Sequence, residues 1–507
     1  MRGQKTAKNL IVSLILQIVV LVCGFIVPKL IISSFGSNVN GLISSITQFL
    51  AYITLLEAGI GPVVRAALYK PIAKKNRQEI INIIKAADKF FKSIATIFVI
   101  YIIILCFIFP VIVKNEFDNI YTISLIIIIS LSTFCEYFFG MAYRLFLKAN
   151  QETYIISYIQ IFTTIINTII VLILVKTGAN IHIVKLGSAC IYILRPILQH
   201  LYVKKRYNFD LNNAENNYKL ENKWDGLSQH IAAVIHDNTD IAILTFFTSL
   251  TEVSVYSVYN LVIKGIKNLV DSLTGGVDAA FGDMIAKDEK KILNQNFNMY
   301  EFFYYTVISF LFICSLILIV PFINVYTNKI TDVNYDRPIF ASIMVIAELI
   351  YSLRIPYNTL TLSAGHFKQT MKGAWVEAIL NIIISTILVL KLGIIGVAIG
   401  TLIAMSVRTA EFILYASKNI LERNPLIGFK RIIEICIEII CVVIINNLIY
   451  NKFKITNYFE WGIYAIIVSI ITILVIIIFN ITVNKKEVIE VTKKIKNIIM
   501  GRKIKNG

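Results

Sequence analysis

Apolar residues gather along this chain in long blocks separated by short polar breaks. A helix needs about 20 mostly apolar residues to cross the hydrocarbon of a bilayer. Fourteen blocks meet that length: residues 10–32, 41–62, 93–113, 120–142, 154–175, 181–203, 224–249, 253–281, 302–325, 338–360, 371–390, 394–417, 432–450 and 459–481. The second, seventh and eighth carry polar residues within them. The first is too long for a signal-peptide core, and VLVC at Val20–Cys23 lacks the small residue that lipoprotein processing wants before its cysteine, so it reads as a retained helix. The pattern predicts an all-α integral membrane protein.

The pattern also repeats. VVRAALYKPIAKK at residues 63–75 lies without a gap over GVDAAFGDMIAKD at residues 276–288, agreeing at Val64/Val277, Ala66/Ala279, Ala67/Ala280, Ile72/Ile285, Ala73/Ala286 and Lys74/Lys287. The same spacing brings Val184, Gly187 and Arg195 onto Val397, Gly400 and Arg408, and a nearly equal one brings Lys176-Thr177-Gly178 onto Lys391-Leu392-Gly393. A duplicated unit of six helices leaves both copies pointing the same way, related by an axis along the membrane normal. The predicted organisation is an N-lobe over 1–210, a polar linker at 211–223, a C-lobe over 224–420, two extra helices over 421–483 and a basic tail at 484–507. Two parallel lobes of this kind carry their site in a central cavity and work by alternating access.

Composition agrees with the blocks. The chain is 57% hydrophobic with mean hydropathy +0.73, far from a soluble protein. A net charge of +18 would suit nucleic acid in another setting, but here the charges sit between apolar runs rather than on a soluble surface, which argues against nucleic acid as a partner. Most Lys and Arg fall in one alternating set of loops, including Arg65 to Lys92, Lys204 to Lys223, Lys418 to Arg431 and Lys485 to Lys505. Positive loops stay inside, so both termini are predicted cytoplasmic, in a bacterial inner membrane. The outer loops, such as 33–40 and 114–119, leave no room for an outer catalytic domain. The tail interleaves Val488, Ile489, Val491, Ile495, Ile498 and Ile499 with lysines and reads as an amphipathic helix on anionic membrane lipids.

Motifs for chemistry are missing. Seven scattered cysteines form no CxxC pair, five histidines form no HExxH, and there is no GxxxxGK[ST], so neither a metal site, a cofactor site nor a self-contained ATPase is expected. No acidic nucleotide-sugar motif supports a membrane glycosyltransferase. The chain reads as a transporter and not as an enzyme.

The candidate binding residues are the polar ones inside blocks. In the eighth block Asn260, Lys264, Lys267, Asp271, Thr274 and Asp278 recur at three- and four-residue spacing and share a sector of roughly 80°. A charge at mid-bilayer costs about 2.5–3.5 kcal/mol, so this stripe faces protein or water. A water-filled binding face and static pairing, such as Lys267 with Asp271, both satisfy that demand. The seventh block offers His230, Asp237, Asn238 and Asp240. Lys29 in the first and Glu57 in the second extend the same lining. Arg195, Arg354 and Arg408 form a secondary set nearer the predicted cytoplasmic ends, where long side chains snorkel and Arg408 can pair with Glu411.

Three stretches carry a family resemblance: KNLIVSLILQIVVLVCGFIVPKLIISSFGSNVNGLI at residues 8–43, EAGIGPVVRAALYKP at 57–71 and EVSVYSVYNLVIK at 252–264. With the two six-helix halves, they resemble the bacterial polysaccharide transporters, the O-antigen and capsule flippases of the multidrug/oligosaccharidyl-lipid/polysaccharide exporter superfamily. The resemblance implies a flippase that moves undecaprenyl-diphosphate-linked oligosaccharide from the cytoplasmic to the outer leaflet for surface polysaccharide synthesis. It places the first, second, seventh and eighth helices around the cavity. Lys264, Lys267 and Lys29 could then hold phosphate oxygens, and Asp237, Asn238, Asp240 and Asn260 could meet sugar hydroxyls or take part in coupling to Na⁺, H⁺ or the membrane potential. A polysaccharide polymerase and chain-length machinery would be its partners. A cation-coupled drug antiporter and a lipid II flippase of the same superfamily remain alternatives.

Overall fold

The computed structural model describes residues 2–57, 60–113, 116–209, 238–272, 274, 277–450 and 453–499. Among them every regular element is helical. The helices are α1 (Arg2–Phe35), α2 (Ser37–Ala51), α3 (Thr54–Glu57), α4 (Ile60–Lys74), α5 (Arg77–Ile112), α6 (Asn119–Cys135), α7 (Met141–Ala149), α8 (Thr153–Lys176), α9 (Ile181–Tyr207) and α10 (238–247). After these come α11 (Leu250–Ser272), α12 (Val277–Ala286), α13 (Lys290–Tyr326), α14 (Pro338–Leu353), α15 (Ile355–Ser363), α16 (Phe367–Leu392), α17 (Ile394–Asn419), α18 (Leu426–Tyr450), α19 (Tyr458–Val483) and α20 (Lys485–Ile499). A π turn at Glu136–Gly140 joins α6 to α7.

Among the described residues twelve helices are long and apolar enough to cross a membrane. They coincide with twelve of the fourteen predicted blocks. The other two are the seventh, whose first part lies outside the described residues, and the eighth. That one departs from the single helix expected over 253–281: α11 stops at Ser272 and α12 starts anew at Val277. Side chains such as Phe107 (76% exposed) and Leu448 (74%) point outward in numbers that only lipid would accommodate.

Two compact units divide the chain inside α11, between Ser257 and Val258. In the first, α2 packs on the segment after the polar stretch: Ser45 Oγ lies 2.7 Å from Thr245 Oγ1, and Asn40 Nδ2 donates to Ser254 Oγ at 2.8 Å. Gly41 lies so close to the Leu250 carbonyl that a Cβ has no room. In the second, α13, α18 and α19 share apolar layers of Ile313, Val442 and Ile476 and of Cys314, Tyr464 and Val468.

The repeat is built into the helix ends. Left-handed backbone occurs at Lys75 and Asp288, at Gln151 and Gly365, at Gly178 and Gly393, and at Asn208 and Glu422. These pairs are 213 to 215 residues apart. Non-glycine residues rarely adopt positive φ except just past a helix C-terminus, where the turn satisfies orphan carbonyls. The closing bonds recur too: Asn76 N–H to Pro71 O at 2.9 Å matches Glu289 N–H to Met284 O at 3.0 Å, and Glu152 N–H to Leu147 O at 2.8 Å matches His366 N–H to Thr361 O at 3.2 Å. Helices that begin and end at the same places in both halves are the structural form of the sequence echo.

α16 and α17 meet through Gly396 and Gly400, one turn apart on α17. A Cβ on Gly400 would sit 2.7 Å from the Ser385 amide nitrogen, and one on Gly396 at 2.7 Å from that of Val389. Small residues let membrane helices approach closely. Gly400→Val is therefore expected to cost about 1–3 kcal/mol and lower Tm, whereas Gly462→Ala, with open space around it, leaves a thermal melt in detergent unchanged.

Candidate functional site

Polar side chains inside the helices collect in three places, two in the first unit and one in the second. The first lies where α3, α4, the π turn and α7 converge. Tyr137 donates to Glu57 Oε2 at 2.9 Å, Glu136 pairs with Arg144, and Arg65 and Arg144 are near enough to act on the Lys148 ammonium. Three cations thus lie among two carboxylates, a net positive cluster of the kind that attracts anions. Of these residues only Glu57 is among the sequence candidates.

The second place joins α2 to α10 and the start of α11. Gln48 hydrogen-bonds the Asn238 side chain, Tyr52 Oη donates to the Asn238 carbonyl at 3.0 Å, and Tyr256 Oη donates to Asp240 Oδ2 at 2.9 Å. Asn238 and Asp240 are each half-buried. His230 and Asp237 lie outside the described residues. Lys29 sits half-buried on α1.

The third place is an ionic network across α11, α14, α16 and α17. Lys267 Nζ lies 3.5 Å from Glu348 and 4.0 Å above the Tyr351 ring, so its acidic partner comes from another helix. Arg354 pairs with Glu377 at 2.5 Å. Arg408 lies 3.7 Å from Glu377, pairs with Glu411 at 2.6 Å and donates to the Thr370 carbonyl at 2.8 Å. The first half uses the matching position without charge: Arg195 donates to Thr163 at 2.9 Å and to Thr164 at 3.0 Å, on the helix that corresponds to α16.

The eighth-block stripe is split by the helix break. Asn260, Lys264, Lys267 and Asp271 share α11, with Lys264 and Asp271 exposed and Asn260 half-buried. Asp278 belongs to α12, where it is exposed and its carbonyl accepts from Ser363 at 2.9 Å. The angular sector computed for one continuous helix therefore applies to the first four alone.

No protein-family model and no curated protein matches the sequence. Solved structures do. A lipid II flippase, MurJ, in an inward closed conformation superposes with TM-score 0.67 at 17% identity, covering 95% of this chain and 99% of its own. An inward-facing multidrug resistance MATE family transporter of the MOP superfamily gives 0.62 at 12% identity, covering 80% and 97%. The eukaryotic MATE transporter AtDTX14 gives 0.56 at 11%, covering 84% and 99%. The chain has their fold.

Within that fold the sequence reading overlooked Arg65, Arg144 and Lys148, which sit near predicted loops and looked like topology signals. It left Glu348 unassigned and passed over Glu377 and the fully buried Glu301. Glu301 holds Arg423 at 3.0 Å and Arg431 at 3.4 Å and accepts from Tyr357. A carboxylate in an isoleucine-rich block was the available signal, since an unpaired one there would be costly. Removing one partner of a buried pair strands the other charge at a cost of about 3–5 kcal/mol. Glu377→Ala, which removes the carboxylate paired with Arg354 and leaves Arg408 with Glu411 alone, should lower Tm far more than Glu136→Ala, whose Arg144 partner is partly solvated; melts of the two purified variants compare them.

Proposed function

We propose that this protein is a flippase for polyprenyl-diphosphate-linked glycans, carrying an oligosaccharide unit on undecaprenyl diphosphate from the inner to the outer leaflet. The supporting observation is the extent of the fold match. A superposition over 95% of the chain leaves too few residues outside to omit both α18 and α19, whereas the drug-transporter matches cover 80% and 84%. The match with the lipid II flippase therefore extends into the helices beyond the repeat.

The chemistry fits that cargo. A diphosphate is met by cations through charge-assisted hydrogen bonds; the first unit carries Arg65, Arg144 and Lys148, and the second carries Lys264 and Lys267. Asn238, Asp240 and Asn260 offer partners for sugar hydroxyls. The polyprenyl tail needs no polar path. An inside-negative potential favours outward movement of the anionic head by about 2.3 kcal/mol per charge per 100 mV, which makes the potential, alone or with a Na⁺ or H⁺ gradient, the driving force.

Proteoliposomes loaded with a fluorescent undecaprenyl-diphosphate oligosaccharide measure this leaflet by leaflet. Wild-type protein is expected to flip it. Lys264→Ala with Lys267→Ala should cut the rate at least about tenfold, the loss of one charge-assisted contact to phosphate, with insertion intact. Movement of lipid II but not of the oligosaccharide would assign the chain to cell-wall precursor export. Cation-driven drug efflux with neither lipid moved would assign it to the drug antiporters.

A further inference from the structure

Glu438 lies on α18 in the hydrophobic interior, 4% exposed, and among the described residues no Lys or Arg pairs with it. Its partners are neutral. Asn480 Nδ2 on α19 donates to Glu438 Oε1 at 3.3 Å, and the Ser309 hydroxyl on α13 faces the carboxyl. Ser309 is 1% exposed, and its hydroxyl is left open. Thr306 and Ser315 on the same helix instead turn back to the carbonyls of Phe302 and Leu311. The one nearby charge of either sign on α18 is the Glu434–Lys430 pair at 3.4 Å. Farther along, Arg431 is committed to Glu301. On α19 the amide of Asn480 faces this site, and Lys485 and Lys486 of α20 are exposed.

A polar ladder leads to this carboxyl from one side only. Lys430, 67% exposed, touches Glu434. Glu434 Oε2 accepts from Asn484 Nδ2 at 3.1 Å, the same amide donates to Asn480 Oδ1 at 3.1 Å, and Asn480 reaches Glu438. Beyond Glu438 the ladder stops at the apolar layer of Ile313, Val442 and Ile476. Every rung of the ladder is on α18 or at the α19–α20 junction, the end predicted to be cytoplasmic.

We propose that Glu438 is a proton-binding site at the inner end of this hydrogen-bonded ladder, whose outer carboxylate, Glu434, lies toward the predicted cytoplasmic side. An ionised carboxylate surrounded by amides, a hydroxyl and a second carboxylate has no counter-charge, and its desolvation costs several kcal/mol. Taking up a proton removes that cost: Glu438 Oε1 accepts from Asn480 and the protonated oxygen donates to Ser309. Release of the proton sets a bare carboxylate against the apolar layer, so the packing of α18 on α13 and α19 depends on the protonation state. The assignment concerns the helix pair beyond the repeat and stands whichever substrate the transporter carries.

Infrared spectra of the full-length protein in lipid films, taken against pH, test it. Wild-type protein is expected to show a carboxylic-acid C=O stretch at neutral pH that is lost in Glu438→Gln, retained in Glu434→Gln and shifted in Glu438→Asp. Glutamine is isosteric and neutral, so that variant should melt with the wild type. Superimposable spectra of wild type and Glu438→Gln would overturn the proposal. So would loss of the band in Glu434→Gln, which moves the proton to that residue, or its disappearance on adding Na⁺ at constant pH, which makes the site a sodium site.

Discussion

A charge inside a bilayer has no water to turn to, and the interior of this protein is arranged around that constraint. Glu301 is 0% exposed and is held by two arginines, a tyrosine and its own helix. Glu377 sits between Arg354 and Arg408. Lys267 is matched by Glu348 and the face of Tyr351. Breaking any of these pairs costs more than forming it gains, so such networks hold helices in register and restrict which rearrangements are open. Glu438 is the other case: among the described residues no cation pairs with it, and the proposed proton takes that place.

Duplication gives the two halves a common set of helix ends, and the halves then diverge in chemistry. Arg195 and Arg408 occupy matching positions, yet one meets threonine hydroxyls and the other carboxylates. The first half pairs Glu136 with Arg144 between the π turn and α7; the second links α11, α14, α16 and α17 through Lys267, Glu348, Glu377 and Arg408.

Much of the fold was legible because a lipid-facing helix must be apolar along its whole length. Twelve blocks became twelve long helices, and GVAIG at residues 396–400, visible in the chain, marks the close approach of α16 and α17. The candidate residues were legible as a kind, polar groups in apolar blocks, and less so as partners. Lys267 has Asp271 one turn away along the helix, but Glu348 comes from a helix some eighty residues on. Arg65, Arg144 and Lys148 looked like loop charges because linear position cannot tell a charge that faces solvent from one that faces its neighbours.

The apolar blocks and the echo at 213 residues make the membrane class, twelve of the long helices and the repeat legible from composition and spacing alone, because transfer into hydrocarbon acts on each residue locally. Which carboxylate neutralises which cation, where the eighth block breaks into α11 and α12, and that Glu438 ends a polar ladder under an apolar layer came only with the folded chain. Those are decided by contacts between helices distant in sequence, whose energies depend on distance and burial rather than on the order of residues.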